Sequence, residues 1–439
     1  MMRAHLQRLA AALSGLLRGS EGFTLWLEAE RTDFVRFNHG KVRQAGEVKQ
    51  AYLDLRLIRG KRQATQQLSL SGGDEDLALV EASLPALRAA LEQVQDDPFL
   101  LLNQRPSSTE RIAAGALPPA ESMVADILAA AEGLDLVGIL ACGEMSFGFA
   151  NHFGQFNWQQ GESWNFDWSL YSHGDKAVKR SQAGSAWDAG EIRRGIAEAA
   201  EQLALLKLPL KTLAPGEYRA YFTPTALGGL LSMLNWGGLS EKEVRAKRSP
   251  LLKLADGEAR LSPRVSLAEA AGEGLSPLFQ AEGFIRPDRV ELIAAGEHRN
   301  SLIGPRSARE FGLAPNAGGD EYAESMQLAA GELPRDQALQ ALGTGVYLSN
   351  LWYLNFSDRS ACRITGMTRF ACFWVEDGRI VAPLGVMRFD DSLYSVLGEQ
   401  LEALTAEREL LVDTASYSGR ATQSKLLPGA LVKSLRFSL

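Results

Sequence analysis

The strongest fold signal in this chain is Phe370-Ala371-Cys372-Phe373-Trp374-Val375-Glu376-Asp377-Gly378-Arg379-Ile380-Val381-Ala382-Pro383-Leu384. Its first six residues form an unbroken apolar run, and charged residues flank that run on both sides. A cysteine within such a run is usually a small buried side chain. We therefore expect inert packing, not nucleophilic catalysis, for Cys372.

The same stretch resembles the paired strands near the C-terminus of the TldD/PmbA family. Further segments resemble parts of that family in the same order: residues 36–44, 307–313, 316–319 and 341–348. The order holds from about residue 20 to the end, so the resemblance covers nearly the whole chain. It implies an α+β protein of two domains. The N-terminal α/β domain would have a mixed sheet with covering helices, and the C-terminal domain would have curved, barrel-like antiparallel β-strands.

The family contains two kinds of subunit, which differ in their zinc site. TldD-type chains carry HExxxH on a helix and a later cysteine as zinc ligands, whereas TldE-type chains lack them. If Leu230-Leu231 precede the motif, Ser232, Met233 and Gly237 occupy the positions of the first histidine, the glutamate and the second histidine. The position of the later cysteine falls near Ser418. These residues cannot supply two imidazoles and a general base, so no metal ligand and no catalytic residue is expected at this degenerate motif.

The resemblance implies a TldE/PmbA-type subunit of a metallopeptidase complex that acts on unfolded peptides or peptide precursors. Zinc would then be held by a TldD-type partner bearing HExxxH, with no cofactor in this chain, and whether the chain is itself an enzyme stays open. An alternative is a stand-alone peptide-binding homodimer without proteolytic activity. A third possibility uses other chemistry through Cys142, Cys362 or His152, but no spacing among these residues supports it.

Candidate peptide contacts lie upstream of the apolar run. Arginine side chains bind carboxylates bidentately and also donate to backbone carbonyls. Arg359 and Arg363 are therefore candidate substrate-binding residues, together with Asn355. Solvated arginines at a strand edge are the commoner explanation of such a pattern.

Length and composition agree with two domains in one globular protein. A chain of 439 residues exceeds what one hydrophobic core usually organises. Proline and glycine punctuate residues 208–217, which places the predicted boundary between domains 1–212 and 213–439. The formal net charge of −7 disfavours attraction to phosphate backbones, so no nucleic-acid partner is expected.

Three scattered cysteines are too few for a disulfide framework, which favours a reduced, cytoplasmic protein. The N-terminus lacks the unbroken apolar stretch of a signal peptide. No run of about eighteen uncharged apolar residues occurs, so no membrane association is expected.

Two long strands are predicted over residues 136–150 and 155–171. In the second strand Trp164, Phe166, Trp168 and Leu170 alternate with mostly polar residues. An aromatic strand face is more often buried under a helix than used to stack ligands. The periodic apolar residues of 190–206 supply a candidate covering helix.

Overall fold

The computed structural model describes residues 2–113, 115–416 and 419–438. In the first half of the chain, the described elements are α1 (Met2–Leu16), β1 (Glu21–Asn38), β2 (Lys41–Arg59), β3 (Arg62–Ser69), α2 (Glu75–Gln93), β4 (Thr109–Ile112), α3 (Ala120–Ala130), β5 (Asp135–Asn151), β6 (Phe156–Tyr171), β7 (Ala177–Gly184) and α4 (Ala189–Leu205).

The second half is richer in short strands. Its described elements are β8 (Gly216–Phe222), α5 (Pro224–Ser232), α6 (Glu241–Arg245), α7 (Leu252–Ala255), β9 (Leu267–Glu269), β10 (Val290–Ala294), β11 (Glu297–His298), α8 (Pro305–Phe311), β12 (Ser325–Leu328), α9 (Ala338–Leu342), β13 (Gly345–Leu348), β14 (Asn350–Asp358), β15 (Arg363–Arg369), β16 (Phe373–Glu376), β17 (Arg379–Pro383), β18 (Arg388–Ser392), β19 (Leu401–Val412) and β20 (Ser424–Phe437).

The first sheet has the order β3-β2-β1-β5-β6-β4, with β7 added on β6. Only β4 runs parallel to its neighbour among the described pairs, so the sheet is mixed, as predicted. Side chains alternate across a strand. On β1, Phe23, Leu25 and Leu27 pack with α1 and α2, whereas Trp26 and Glu28 point to the opposite side, toward the second half of the chain.

The predicted aromatic face of β6 is buried beneath helices. Phe166 is fully buried and Trp168 is 1% exposed, in a cluster that includes residues of α3 and α4. The predicted core role for these rings is therefore confirmed. Ala371 and Phe373 of the second half join the same cluster, so the two halves share part of one core.

The second sheet branches around the long strand β20. Its main path is β11-β10-β9-β12-β20-β8-β13-β16-β17, while β18 and β19 also pair with β20 and a β14–β15 hairpin joins through β18. Among the described residues these pairings do not close into a barrel. The α+β fold with two sheets is thus observed, and the expected barrel-like closure is not, because β20 exchanges partners along its length instead of continuing one ring.

In chain order, the predicted boundary lies between the last strand of the first sheet and the first strand of the second. The first sheet ends at Gly184 and the second begins at Gly216, and α4 lies between them. The division at residues 212/213 stays a prediction. Within the described residues, no helix is both long and apolar enough to cross a membrane.

Candidate functional site

A cavity of about 790 Å³ lies between the first sheet and loops of the second half. We call it the inter-sheet cavity. Its walls are the polar faces of β1, β2 and β5 on one side and residues 276–282, 318–324 and 419–423 on the other. Aromatic and acidic side chains dominate these walls, so the cavity suits a ligand that combines apolar and cationic groups.

The aromatic part of the wall is built around Trp26. Its ring lies edge-on to Phe279 at 5.6 Å between centroids, and Phe147 lies 6.3 Å away. The Trp26 indole N–H donates to Glu28 Oε1 at 2.8 Å, which fixes the direction of both side chains. Strand alternation puts Trp26 and Glu28 on the same face of β1.

Arg420 holds the segment 419–423 against the first sheet. Its guanidinium donates to the Ser163 carbonyl at 2.8 Å and to the Ser163 hydroxyl, and its backbone N–H donates to Glu30 Oε2 at 3.3 Å. Burial lowers the pKa of Arg420 to about 10, and the negative charge of Glu30 opposes that shift. Glu30 also accepts from the amide of Gln50 at 2.6 Å.

A buried ion cluster supports the opposite wall. Arg286 pairs with Glu269 and, at 2.8 Å, with Glu324, and it also donates to the Pro277 carbonyl at 3.2 Å. Burial raises the pKa of Glu269 to about 7, and the charge of Arg286 acts against this rise. Pro277 and Glu324 line the cavity, so Arg286 fixes two of its wall segments at once.

The helix predicted to carry the degenerate motif is present. Thr223 caps α5 by accepting from the Ala226 N–H at 3.2 Å, and Pro224 occupies the first turn, where its missing N–H costs nothing. The helix ends at Ser232, followed by a 3-10 turn over Met233–Asn235.

The motif positions offer no set of zinc ligands. The Ser232 hydroxyl donates to the Gly228 carbonyl of its own helix at 2.6 Å, and Met233 is 3% exposed in the apolar core. Gly237 has φ +83°, and a Cβ there would lie 2.8 Å from Glu243 and 2.9 Å from Arg359. A histidine at Gly237 would therefore be strained, and the residues present do not fit zinc. Among the described residues, no grouping of three or more His, Cys, Asp or Glu side chains suits a metal ion.

The turn after α5 is tied to the cavity wall. The Asn235 side chain donates to the Ala323 carbonyl and accepts from the Ala323 N–H, both at 2.9 Å. Gln423 donates to the same carbonyl at 3.1 Å. Ser418 lies outside the described residues, but the neighbouring residues 419–423 line the cavity.

The predicted peptide contacts lie elsewhere, on the β14–β15 hairpin and its turn, and none of them lines the inter-sheet cavity. Arg359 donates to the carbonyls of Trp236 and Arg248, the latter at 2.8 Å. Arg363 lies 3.4 Å from Asp390, and Asn355 accepts from the N–H of the next residue at 2.8 Å. Their role in peptide binding stays a prediction.

The three cysteines are buried and their thiols are held in the protonated form. Burial raises the pKa of Cys142 to about 11 and that of Cys362 to about 12, and it also raises the pKa of Cys372. Because the thiolate is the nucleophile, these sites are poorly prepared for catalysis. The Phe23 backbone N–H donates to His152 Nδ1, with 3.1 Å between the two nitrogen atoms.

Sequence reasoning missed the cavity because its walls come from distant segments. The available signal was the alternation of Trp26, Glu28 and Glu30 on β1, which places one aromatic and two acidic side chains on one strand face.

Comparisons with solved structures show the fold. TldE from Thermococcus kodakarensis superposes with a TM-score of 0.78 at 14% identity, covering 99% of this chain and 100% of that one. Candidate modulators of a DNA gyrase from Thermotoga maritima and Bacteroides thetaiotaomicron each superpose with a TM-score of 0.74, at 16% and 17% identity, with full coverage of both chains. No curated protein matches the chain.

The family assignment comes from the second half of the sequence. The profile described as the PmbA/TldA metallopeptidase C-terminal domain matches residues 215–439, which is just over half of the chain. The matched region includes α5, the Arg286 ion cluster and the C-terminal wall of the cavity. The chain therefore belongs to the PmbA/TldD metallopeptidase family.

Proposed function

We propose that the chain is a TldE-type subunit of a TldD/TldE-type metallopeptidase complex, and that it binds unfolded peptides or peptide precursors without holding zinc itself. The observation that supports this proposal most directly is the end of α5. There Ser232 is bonded to its own helix, Met233 is buried in the core and Gly237 has no side chain. Water activation by zinc needs imidazole or carboxylate ligands and a base, none of which these positions provide.

The partner proposed is a TldD-type chain bearing HExxxH, which would hold the catalytic zinc. The fold shared with Thermococcus kodakarensis TldE supports the choice of subunit type. The proposed place of action is the cytoplasm, and the three free, buried cysteines are compatible with it. We further propose that residues 1–212 and 213–439 act as two domains around the inter-sheet cavity.

A stand-alone peptide-binding homodimer is the second candidate. The observation that favours it is that described residues of this one chain line the inter-sheet cavity from both sides. Peptide capture there requires no second subunit, whereas cleavage does.

Reconstitution tests the proposed subunit role. The chain is purified alone and together with a TldD-type chain, and both samples are incubated with an unfolded fluorogenic peptide. We expect no cleavage by the chain alone, cleavage by the complex, loss of that cleavage in EDTA and its recovery with zinc. EDTA-resistant cleavage by the purified chain would contradict the proposal.

Arg363 provides a test of the predicted peptide contacts. Its ion pair with Asp390 is long, at 3.4 Å, and half-exposed, so Arg363→Ala should change the free energy of unfolding by less than about 1 kcal/mol. We expect peptide cleavage by the complex to fall about fivefold through a raised KM, because a donor to the peptide is lost. Arg379→Ala, at an exposed arginine of β17, is the matched control. Equal cleavage by both variants would remove Arg363 from the proposed contacts.

A further inference from the structure

We propose that the inter-sheet cavity selects peptide segments that carry a lysine or arginine side chain. The inference names a substrate class for the peptide-binding role proposed above and rests on it. It comes from the charge of the cavity wall, the aromatic rings beside that charge and one buried amide that lacks a partner.

The wall is strongly acidic. Among the described residues that line it, seven are carboxylates and one is basic, namely Arg420. The Arg420 guanidinium donates to the uncharged Ser163 carbonyl and hydroxyl, and its single positive charge offsets only one of the seven carboxylates. A low-dielectric cleft lined by one sign of charge attracts ligands of the other sign.

Some of these carboxylates have structural roles. Glu282 pairs with Arg56 at 3.0 Å, and Glu324 pairs with Arg286 at 2.8 Å. Glu321 is buried and accepts from the Ser240 hydroxyl, the Lys242 N–H and the Gly304 N–H. These three acids therefore have ion-pair or hydrogen-bond partners within the protein and need none from a ligand.

Three other acids have no basic partner within the described part of the chain. Glu28 accepts only from the Trp26 indole, at 2.8 Å. Asp54 accepts only from the Gln67 amide, at 3.1 Å, and Asp320 is exposed on the opposite wall. A cationic side chain of a ligand would supply the missing counter-charge.

Acids of both walls act on Tyr322, which also lines the cavity. Burial raises the pKa of Tyr322, and the charges of Glu324, Asp320 and Glu28 add to that rise. Glu28 belongs to the first sheet, and Asp320 and Glu324 belong to the second half. Acids from the first sheet and from the second half therefore face the same cavity.

Aromatic rings lie next to these acids. Trp26 contacts Phe147 and Phe279, and Tyr52 lines the same wall. Ammonium and guanidinium groups of a ligand bind both aromatic faces and carboxylates. A carboxylate group of a ligand would bind neither. The combination favours a cation on an aliphatic stem, as in lysine and arginine.

Gln280 adds an unpaired amide donor to the same wall. This residue lines the cavity and is 5% exposed. Its Oε1 accepts the Glu282 N–H, which fixes the orientation of the amide, while its Nε2 has no hydrogen-bond partner among the described residues. Buried polar groups nearly always have a hydrogen-bond partner. The unpaired Gln280 Nε2 is therefore a donor that a ligand acceptor would satisfy. A backbone carbonyl of a bound peptide is such an acceptor, and a simple cation offers none.

Binding of charge-matched peptides to the purified full chain tests the inference. Three fluorescently labelled, unstructured peptides are compared, which differ only in carrying two lysines, two glutamines or two glutamates. We expect the lysine peptide to bind about tenfold more tightly than the glutamine peptide at low salt, and the glutamate peptide to bind most weakly. The preference should shrink as salt rises, because Glu28 and Asp320 are exposed.

A double variant locates the preference in the cavity. Glu28→Gln with Asp54→Asn removes two unpaired charges while keeping the side-chain shapes, and it should abolish most of the lysine preference without changing the melting temperature. The matched control is Glu132→Gln with Glu201→Gln, at exposed carboxylates outside the cavity.

Equal binding of the three peptides, or a lysine preference that survives in the Glu28/Asp54 variant, would overturn the inference while leaving the proposed peptide-binding role intact. Absence of binding by all three peptides would also overturn the inference. The reconstituted cleavage assay would then test the subunit role separately.

Discussion

Replacing Arg286 with methionine is expected to lower the free energy of unfolding by about 4 kcal/mol. Arg286 is 4% exposed and Glu269 is 1% exposed, so the substitution leaves a buried carboxylate without its counter-ion. It also removes the donors to Glu324 and to the Pro277 carbonyl, which hold two segments of the cavity wall. Losing one partner of a buried ion pair costs far more than the intact pair contributes.

The loss of stability caused by Arg286→Met should depend on pH. Burial already raises the pKa of Glu269 to about 7, and without Arg286 nothing basic opposes that rise. Because the folded state then binds a proton that the unfolded state releases, stability falls as pH increases toward the folded pKa. Urea unfolding followed by tryptophan fluorescence should therefore show a larger loss at pH 8 than at pH 6.

Two control variants make this prediction specific. Arg289→Met removes a half-exposed arginine whose pairs with Glu273 and Glu291 lie at the surface, and it should cost less than about 1 kcal/mol. Adding Glu269→Gln to Arg286→Met should recover much of the loss, because no buried charge is then left unpaired. Equal losses for Arg286→Met and Arg289→Met would contradict the account of the buried ion cluster.

Replacing Arg420 with methionine is expected to cost about 3 kcal/mol. The guanidinium is the donor to the Ser163 carbonyl and hydroxyl, and the variant leaves both groups of β6 without that partner. It also removes the positive charge that faces Glu30. Hydrogen bonds from charged donors to buried acceptors are among the stronger ones.

The effect of Arg420→Met should be local as well as global. Residues 419–423 form one cavity wall, and Thr422 accepts from the Ser276 hydroxyl of the neighbouring wall at 3.3 Å. We expect faster amide hydrogen exchange over residues 276–280 and 419–423 in the variant. The comparison is Arg436→Met, which removes an exposed pair with Glu217 near the C-terminus. Unchanged exchange in the cavity walls would mean that Arg420 does not hold them in place.

The long periodic elements of the first half were predictable from sequence. The alternating aromatic residues of β6 and the helical period of α4 match the structure closely, because one face of each packs on the core. The first strand was harder. Its apolar residues fall into two groups, over 23–29 and 34–37, whereas β1 runs unbroken from Glu21 to Asn38. Its charged middle stays extended because Glu30 is buried against Gln50 and Arg420.

The candidate site was predictable only in part. The cap and first turn of α5 follow from local sequence, since Thr223 and Pro224 favour a helix start. The inter-sheet cavity does not, because Trp26, Gln280 and Arg420 are brought together by the packing of second-half loops on the first sheet and share no local pattern. The expected barrel failed for a similar reason, since partner exchange along β20 depends on long-range pairing.

Affinity capture of the chain at its native level tests whether it is the zinc-free subunit of a metallopeptidase complex. The captured material is analysed for co-purifying proteins, zinc content and peptide cleavage with and without EDTA. We expect a stoichiometric second chain bearing HExxxH, about one zinc per pair of chains and cleavage that requires the metal. A chain that is captured alone and cleaves peptides, or that itself carries stoichiometric zinc, would contradict the proposal that Ser232, Met233 and Gly237 mark a subunit without a zinc site.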